Sequence, residues 1–330
     1  MKHTQLRVKN DTSIVLSKTK SLVNLTNQLL SKKSEISLVH AQQWMKNIWA
    51  WADKNNIPKL KWKLSHLLEE GGYYLGIPRD VNGLMNLKEL NLDKQNISSL
   101  PEDIGNMINL EVLNLNINNL SHLPKSIGCL TNLKILSIYK NKLTFLPQEL
   151  KELQKLEYLE LSENKLQIFP MDIFFELKSL KKLYLQGNRL GLLPKNIGTL
   201  TSLEVLELRD NRIKILPQSI GKLSKLKKLD ISINSFTQLP KELGELYGLT
   251  SIVAYGNKFT EFPDELRKLV NLKAFYLSEN TKVVLNDKQK AWIITLKESG
   301  CLFSTSTKKH TGIYGLLLWG VYISQRNKLV

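Results

Sequence analysis

The chain has 330 residues, a net charge of +17, 42% hydrophobic residues, two cysteines and five histidines. Cys129 and Cys301 exclude a disulfide framework and a cysteine metal site, and His3, His40, His66, His122 and His310 have no partner at ligand spacing. The excess charge sits on the flanks, with 10 Lys/Arg against 3 Asp/Glu over residues 1–60, 7 against 2 over 287–330, and 27 against 22 over 86–286. It reads as solvated, Lys-rich termini rather than a basic domain for nucleic acid.

The opening, MKHTQLRVKNDTS, lacks the apolar run of a secretion signal. With no paired cysteines, a reducing cytoplasmic setting is expected, in a bacterium or in a host cell that receives the protein. Residues 12–32 place Val15, Leu22, Leu25 and Leu29 on one side of a Lys-flanked helix. Residues 37–54 put Trp44, Ile48 and Trp51 at helical spacing beside Met45 and Trp49, which predicts an amphipathic helix covering the start of the next region. Residues 1–63 are thus a helical N-terminal region and cap, and 64–85, with Ile77, Pro78 and Val81, read as a degenerate opening unit.

From there a unit repeats. Leu87, Leu110, Leu133, Leu156, Leu180, Leu203, Leu226, Leu249 and Leu272 each open one, 23 residues apart except for 24 from Leu156 to Leu180. The pattern is L-x-x-L-x-L-x-x-N-x-L-x-x-L-P-x-x-I-G-x-L-x-x, clean in Leu110, Leu113, Leu115, Asn118, Leu120, Leu123, Pro124, Ile127, Gly128 and Leu130. A fixed period of this size marks a solenoid, and no single unit buries enough apolar surface to fold alone. Leucines two apart face one side of a short strand, and the proline suits an extended or turn segment on the convex side. The pattern over residues 64–285 resembles the leucine-rich repeat, in the variant of Ras-related signalling scaffolds and many bacterial leucine-rich-repeat proteins. The resemblance implies an α/β solenoid: a curved parallel sheet on the concave face, short helical or extended convex segments, and helical end caps.

Asn118, Asn141, Asn164, Asn188, Asn211, Asn234, Asn257 and Asn280 fall where the chain leaves each strand. An amide both donates and accepts, so this column is expected to satisfy the backbone of neighbouring turns. Gln95 stands there in the first unit and predicts an imperfect ladder end. The unit from 156 to 179 carries MDIFFEL, one residue too many, with Phe174 where glycine is usual, which predicts a local bulge. Asn286 and Gln289 form a capping-box pattern for a cap helix within 286–302 that Gly300 can close and whose Trp292, Ile293 and Leu296 cover the last unit. Residues 303–330 form a basic, apolar tail whose GIYGLLLWGVYI is too short to span a bilayer as a helix.

Ahead of the strands stand Lys88, Glu111, Lys134, Glu157, Lys181, Glu204 and Lys227, alternating in sign, which predicts a ladder of ion pairs on the rim. The outward positions of the middle strands combine Ile135, Tyr139, Tyr158, Tyr184 and Val205 with Glu160, Glu163, Glu207, Arg209, Asp210 and Asp230. Aromatic anchors beside charge of one sign suit a protein-binding patch. The partner-binding residues are therefore expected to be Ile135, Tyr139, Tyr158, Glu160, Tyr184, Val205, Glu207, Arg209 and Asp230, for a protein with a basic protruding element. No phosphate loop or nucleophile elbow occurs, and Cys301 has no nearby His or Asp in sequence. A monomeric, non-catalytic signalling scaffold without cofactor, metal or nucleic acid is expected. The alternative is a bacterial effector or a peripheral membrane adaptor that contacts lipid through 303–330.

Overall fold

The computed structural model describes residues 42–64, 72–168, 173, 176–280 and 283–304. The expected helix over 12–32, the segment 312–323, Pro170 and Phe174 lie outside the described residues. The chain divides into two compact units, Met1–Ile48 and Trp49–Val330. Helix α1 covers residues 42–54, and the first unit is described only over 42–48, where Met45 and Ile48 are buried.

The second unit is a solenoid. Nine three-residue strands follow one another at the repeat spacing: β3 (Glu89–Asn91), β4 (Val112–Asn114), β5 (Ile135–Ser137), β6 (Tyr158–Glu160), β7 (Lys182–Tyr184), β8 (Val205–Glu207), β9 (Lys228–Asp230), β10 (Ser251–Val253) and β11 (Ala274–Tyr276). They pair in parallel, each with the next, so that Leu90, Leu113, Leu136, Leu159, Leu183, Leu206 and Leu229 form one column. The constant period sets this register, since any slip would turn the leucines out of the core. Every leucine of that column is buried.

After β3, β4, β5, β8, β9 and β10 the chain runs to a proline that opens a short 3₁₀ turn. Pro101 and Pro124, for example, have φ of −73° and −67° and precede turns Glu102–Asn106 and Lys125–Cys129. Proline is preset for that φ and forgoes an N–H that would have no partner there. The glycine of the Ile-Gly pair answers a close approach between units: a Cβ on Gly128 would run into the carbonyl oxygen of Glu149, and one on Gly198 into that of Ser219. Lys151 and Arg267 occupy this position in the two units followed by the lengthened unit and by the C-terminal helix.

Both ends depart from the repeat. At the start, Lys61–Leu64 (β1) and Gly72–Leu75 (β2) pair antiparallel, so 72–75 do not extend the parallel sheet as an opening unit would. The chain rejoins the pattern at Asp80, which caps the short helix α2 (Val81–Met85). The indoles of Trp49 and Trp51 donate to the carbonyls of Pro78 (2.9 Å) and Ser99 (3.1 Å). Arg79 donates to the carbonyls of Trp49 and Ile57 and pairs with Asp53 at 2.8 Å. Residues 49–53 are thereby tied to the first turns by polar contacts as well as by burial.

At the other end Asn286 caps α3 (Asp287–Glu298) in a complete capping box with Gln289. The sheet then gains a tenth strand, β12 (Leu302–Ser304), parallel to β11. The sequence reading begins the tail at 303, but β11 leaves an unpaired edge and these residues fill it. The leucine core gives way here to aromatics in successive contact: Phe236–Phe259, Phe259–Phe262, Phe262–Phe275, and Phe275 with both Trp292 and Phe303, at centroid distances of 5.3–6.3 Å.

Candidate binding face

Alternation along a strand sends one residue to the core and its neighbours to the opposite side. The open face of the sheet therefore carries the first and third residues of every strand. On its rim the alternating charges form ion pairs of unequal closeness. Glu111 holds both Lys88 (3.2 Å) and Lys134 (2.6 Å), while Glu157 pairs with Lys181 and Glu204 with Lys227, each at 2.8 Å. The two lysines beside Glu111 hold its carboxyl below the usual range.

In the middle of the face Tyr158, Tyr184 and Val205 form an apolar cluster of their own, with Ile135 packed against it. The tyrosine rings stand 5.2 Å apart and tilted by 43°. Sequence reading expects these side chains to be displayed on the open face, yet Tyr158 is only 7% exposed and Tyr184 only 5%, packed together in this cluster. Tyr139 is partly exposed. Arg209, also partly exposed, lies over the ring of Tyr255, 5.7 Å from its centroid.

The carboxylates separate into two kinds. Glu160 is fully buried and its Oε1 accepts from the Ser162 N–H at 2.8 Å. Asp230 Oδ1 accepts from both the N–H and the hydroxyl of Ser232. Asn91 and Asn114 do the same for the N–H groups of Asp93 and Asn116. Each of these side chains caps a backbone N–H just past the last strand residue, the Asx-type contact that short polar side chains make with residue i+2. A structural task for Glu160 and Asp230 was thus missed, although the N-x-N and D-x-S spacing signals it.

Glu207 makes no such contact. Burial, followed by the neighbouring Asp230 and Glu160, pushes its carboxyl up to about 8, against the opposing pull of Lys228 and Arg209. Burial also raises Asp230, and burial with Asp210 raises Glu163. The five carboxylates counted in the sequence therefore present less negative charge than their number implies, because burial and its acidic neighbours favour the protonated form of Glu207.

The asparagine column lies inside. Asn164 Nδ2 donates to the carbonyls of Ile138 (2.9 Å), Leu161 (3.0 Å) and Ser162 (3.2 Å), while its Oδ1 accepts from the Leu143 N–H (3.0 Å). Asn118, Asn141, Asn188, Asn211, Asn234, Asn257 and Asn280 likewise donate to the preceding unit. Gln95, in the first unit, reaches only the carbonyl of Asp93 in its own unit. Just before the asparagine the backbone is left-handed in every regular unit, as at Ile117, Gly187 and Ile233. The repeat pattern gives no sign of this, since only some units use glycine there.

Cys301 is buried and burial pushes its thiol up, the reverse of what activates a nucleophile. Among the described residues no group of His, Cys, Asp and Glu converges as metal ligands, and no helix is long and apolar enough to cross a membrane.

A family model described as a leucine-rich repeat region matches residues 77–184 and 164–299. No curated protein matches the chain. Among solved structures, a leucine-rich-repeat protein of Leptospira interrogans is 31% identical, with 69% of this chain and 74% of that one covered and a TM-score of 0.47. The ectodomain of the Arabidopsis thaliana membrane receptor kinase GASSHO1/SCHENGEN3, in complex with Casparian strip integrity factor 2, is 37% identical over 61% of this chain, with a TM-score of 0.54. This chain spans only 25% of that ectodomain. An internalin of Listeria monocytogenes is similar in fold, at 22% identity and a TM-score of 0.57, with 70% of this chain and 65% of that one covered.

Proposed function

The chain belongs to the leucine-rich-repeat family, and on that premise we propose that it is a non-catalytic scaffold binding a protein partner on its concave face. The observation that carries this reading is the apolar cluster of Tyr158, Tyr184, Val205 and Ile135, which lies apart from the leucine core on the opposite side of the strands. Tyrosines ringed by polar groups are what interface hot spots use. The plant ectodomain, solved with its protein factor bound, supports the same use of the fold.

Glu207, Asp230, Arg209 and Tyr139 border the cluster and complete the contact surface. The partner brings a Lys or Arg on a protruding element. Such a cation beside Glu207 favours the ionised carboxyl, so binding releases a proton and tightens as pH rises. The scaffold acts, on this reading, as a monomer in a reducing compartment.

Two experiments test this. Tyr158→Ala with Tyr184→Ala should abolish partner capture, with melting recorded to separate lost binding from lost fold. Capture by the wild type should strengthen between about pH 6 and about pH 9 and lose that dependence in Glu207→Gln. Capture surviving the tyrosine pair in a folded chain would remove the concave face from the account.

A further inference from the structure

One surface is left unused by the fold and by the concave face. It lies on the flank, between the asparagine column and the prolines. In four consecutive units the residue two before the proline is a large apolar side chain standing in solvent: Phe145 is 56% exposed, Ile168 76%, Leu192 69% and Ile215 65%. The units on either side have Ser99, His122, Gln238 and Glu261 at that position. The core does not require this row, since the next residue of each unit supplies the buried contact, as Leu146, Leu193 and Leu216 do.

The same four units carry a second row. The residue just after the ladder asparagine is Lys142, Lys165, Arg189 or Arg212, all exposed. The flanking units place Asn96, Asn119, Ser235 and Lys258 there. None of the four cations has an ion pair among the described residues. Between the rows stand Thr144, Gln167, Gly191 and Lys214, so this surface holds five cations and no carboxylate. Backbone bonds from Lys142 N to Leu120 O, Lys165 N to Leu143 O, Arg189 N to Leu166 O and Arg212 N to Leu190 O, each 2.9 Å, hold successive units together at this point. The rows therefore advance at about 5 Å per unit and run side by side for roughly 15 Å.

We propose that this flank docks on an anionic lipid surface, the cations over the headgroups and the apolar row pressed among them. Charge decides the occupant. The segments outside the described residues are themselves basic, with 7 Lys/Arg against 2 Asp/Glu over residues 1–41 and 4 against none over 305–330, so neither complements the cations. A second copy would set the same basic row against itself. A protein interface core is depleted in lysine and enriched in aromatics, whereas here three of the four apolar side chains are aliphatic and two of the four cations are lysines. Aliphatic side chains alongside Lys and Arg are the composition of surfaces that sit at a bilayer boundary, where each cation adds to the attraction of acidic lipid.

The test is sedimentation of the full chain with phosphatidylcholine vesicles and with vesicles containing phosphatidylserine. The wild type should pellet with the anionic vesicles only, and less so as salt rises. Arg189→Glu with Arg212→Glu should weaken that binding about tenfold or more. Leu192→Ser with Ile215→Ser should weaken it while leaving the salt dependence in place. All four positions are exposed, and unchanged melting will confirm that each variant folds. Equal binding to both vesicles, no binding at all, or full binding by the charge-reversed chain would overturn the proposal. The last result would assign lipid contact to another part of the molecule. A flank that ignores vesicles but is captured by an acidic protein, in a manner lost on charge reversal, would overturn it in favour of a protein partner.

Discussion

The two sides of one strand obey different rules. Toward the core, β6, β7 and β8 present Leu159, Leu183 and Leu206, the same residue each time. Toward the open face they present Tyr158 and Glu160, Lys182 and Tyr184, Val205 and Glu207. Inside, each of these units meets a leucine neighbour like its own, so one solution repeats and stability accumulates along the stack. Outside, each residue meets a different pair, and the face holds carboxyl groups at some cost to stability.

The largest effect should come from breaking the inner rule. Leu183→Ala leaves a cavity between two units and should cost about 4 kcal/mol in denaturant unfolding. Asn164→Ala should follow at about 3 kcal/mol, since it strands the carbonyls of Ile138 and Leu161 and the N–H of Leu143. A loss below about 1 kcal/mol would show that the asparagine column is not holding the turns.

The open face should respond to pH instead. From its ordinary 4.5 up to about 8, Glu207 holds a proton in the folded chain that the unfolded chain has released. Stability should therefore fall as pH rises through that window, by about 2 kcal/mol after allowance for partial solvent contact. Asp230 and Glu163 are raised in the same direction, so each adds a loss of the same sign as pH rises above its ordinary value. Glu207→Gln should flatten it, and a wild-type midpoint that climbs over the same range would contradict the burial of this group. The smallest effect belongs to the rim. Lys227→Ala breaks an exposed pair with Glu204 and should shift stability by under about 1 kcal/mol, less at high salt.

Much of the fold was legible because its determinants are periodic. The strands, their order and their parallel register follow from leucines two apart recurring at a constant interval. The site was legible only as a set of outward positions. That Tyr158 and Tyr184 pack together, that Glu160 and Asp230 cap the backbone, and that Glu207 favours its protonated form all depend on which residues of adjacent units meet. The flank was overlooked for a related reason. Phe145, Ile168, Leu192 and Ile215 fit a pattern position that accepts any residue, and only their shared exposure beside four cations distinguishes them.

By itself the sequence determined the repeat, its core, its asparagine column and its turn prolines, because each answers a constraint that returns unchanged in every unit. Only the tertiary structure decided how the ends close, with an antiparallel pair before β3 and a tenth strand after α3, since an end has one neighbour rather than two. It also decided which outward side chains lie in water, because exposure on a stacked surface is set by the units on either side and is not a property of one residue.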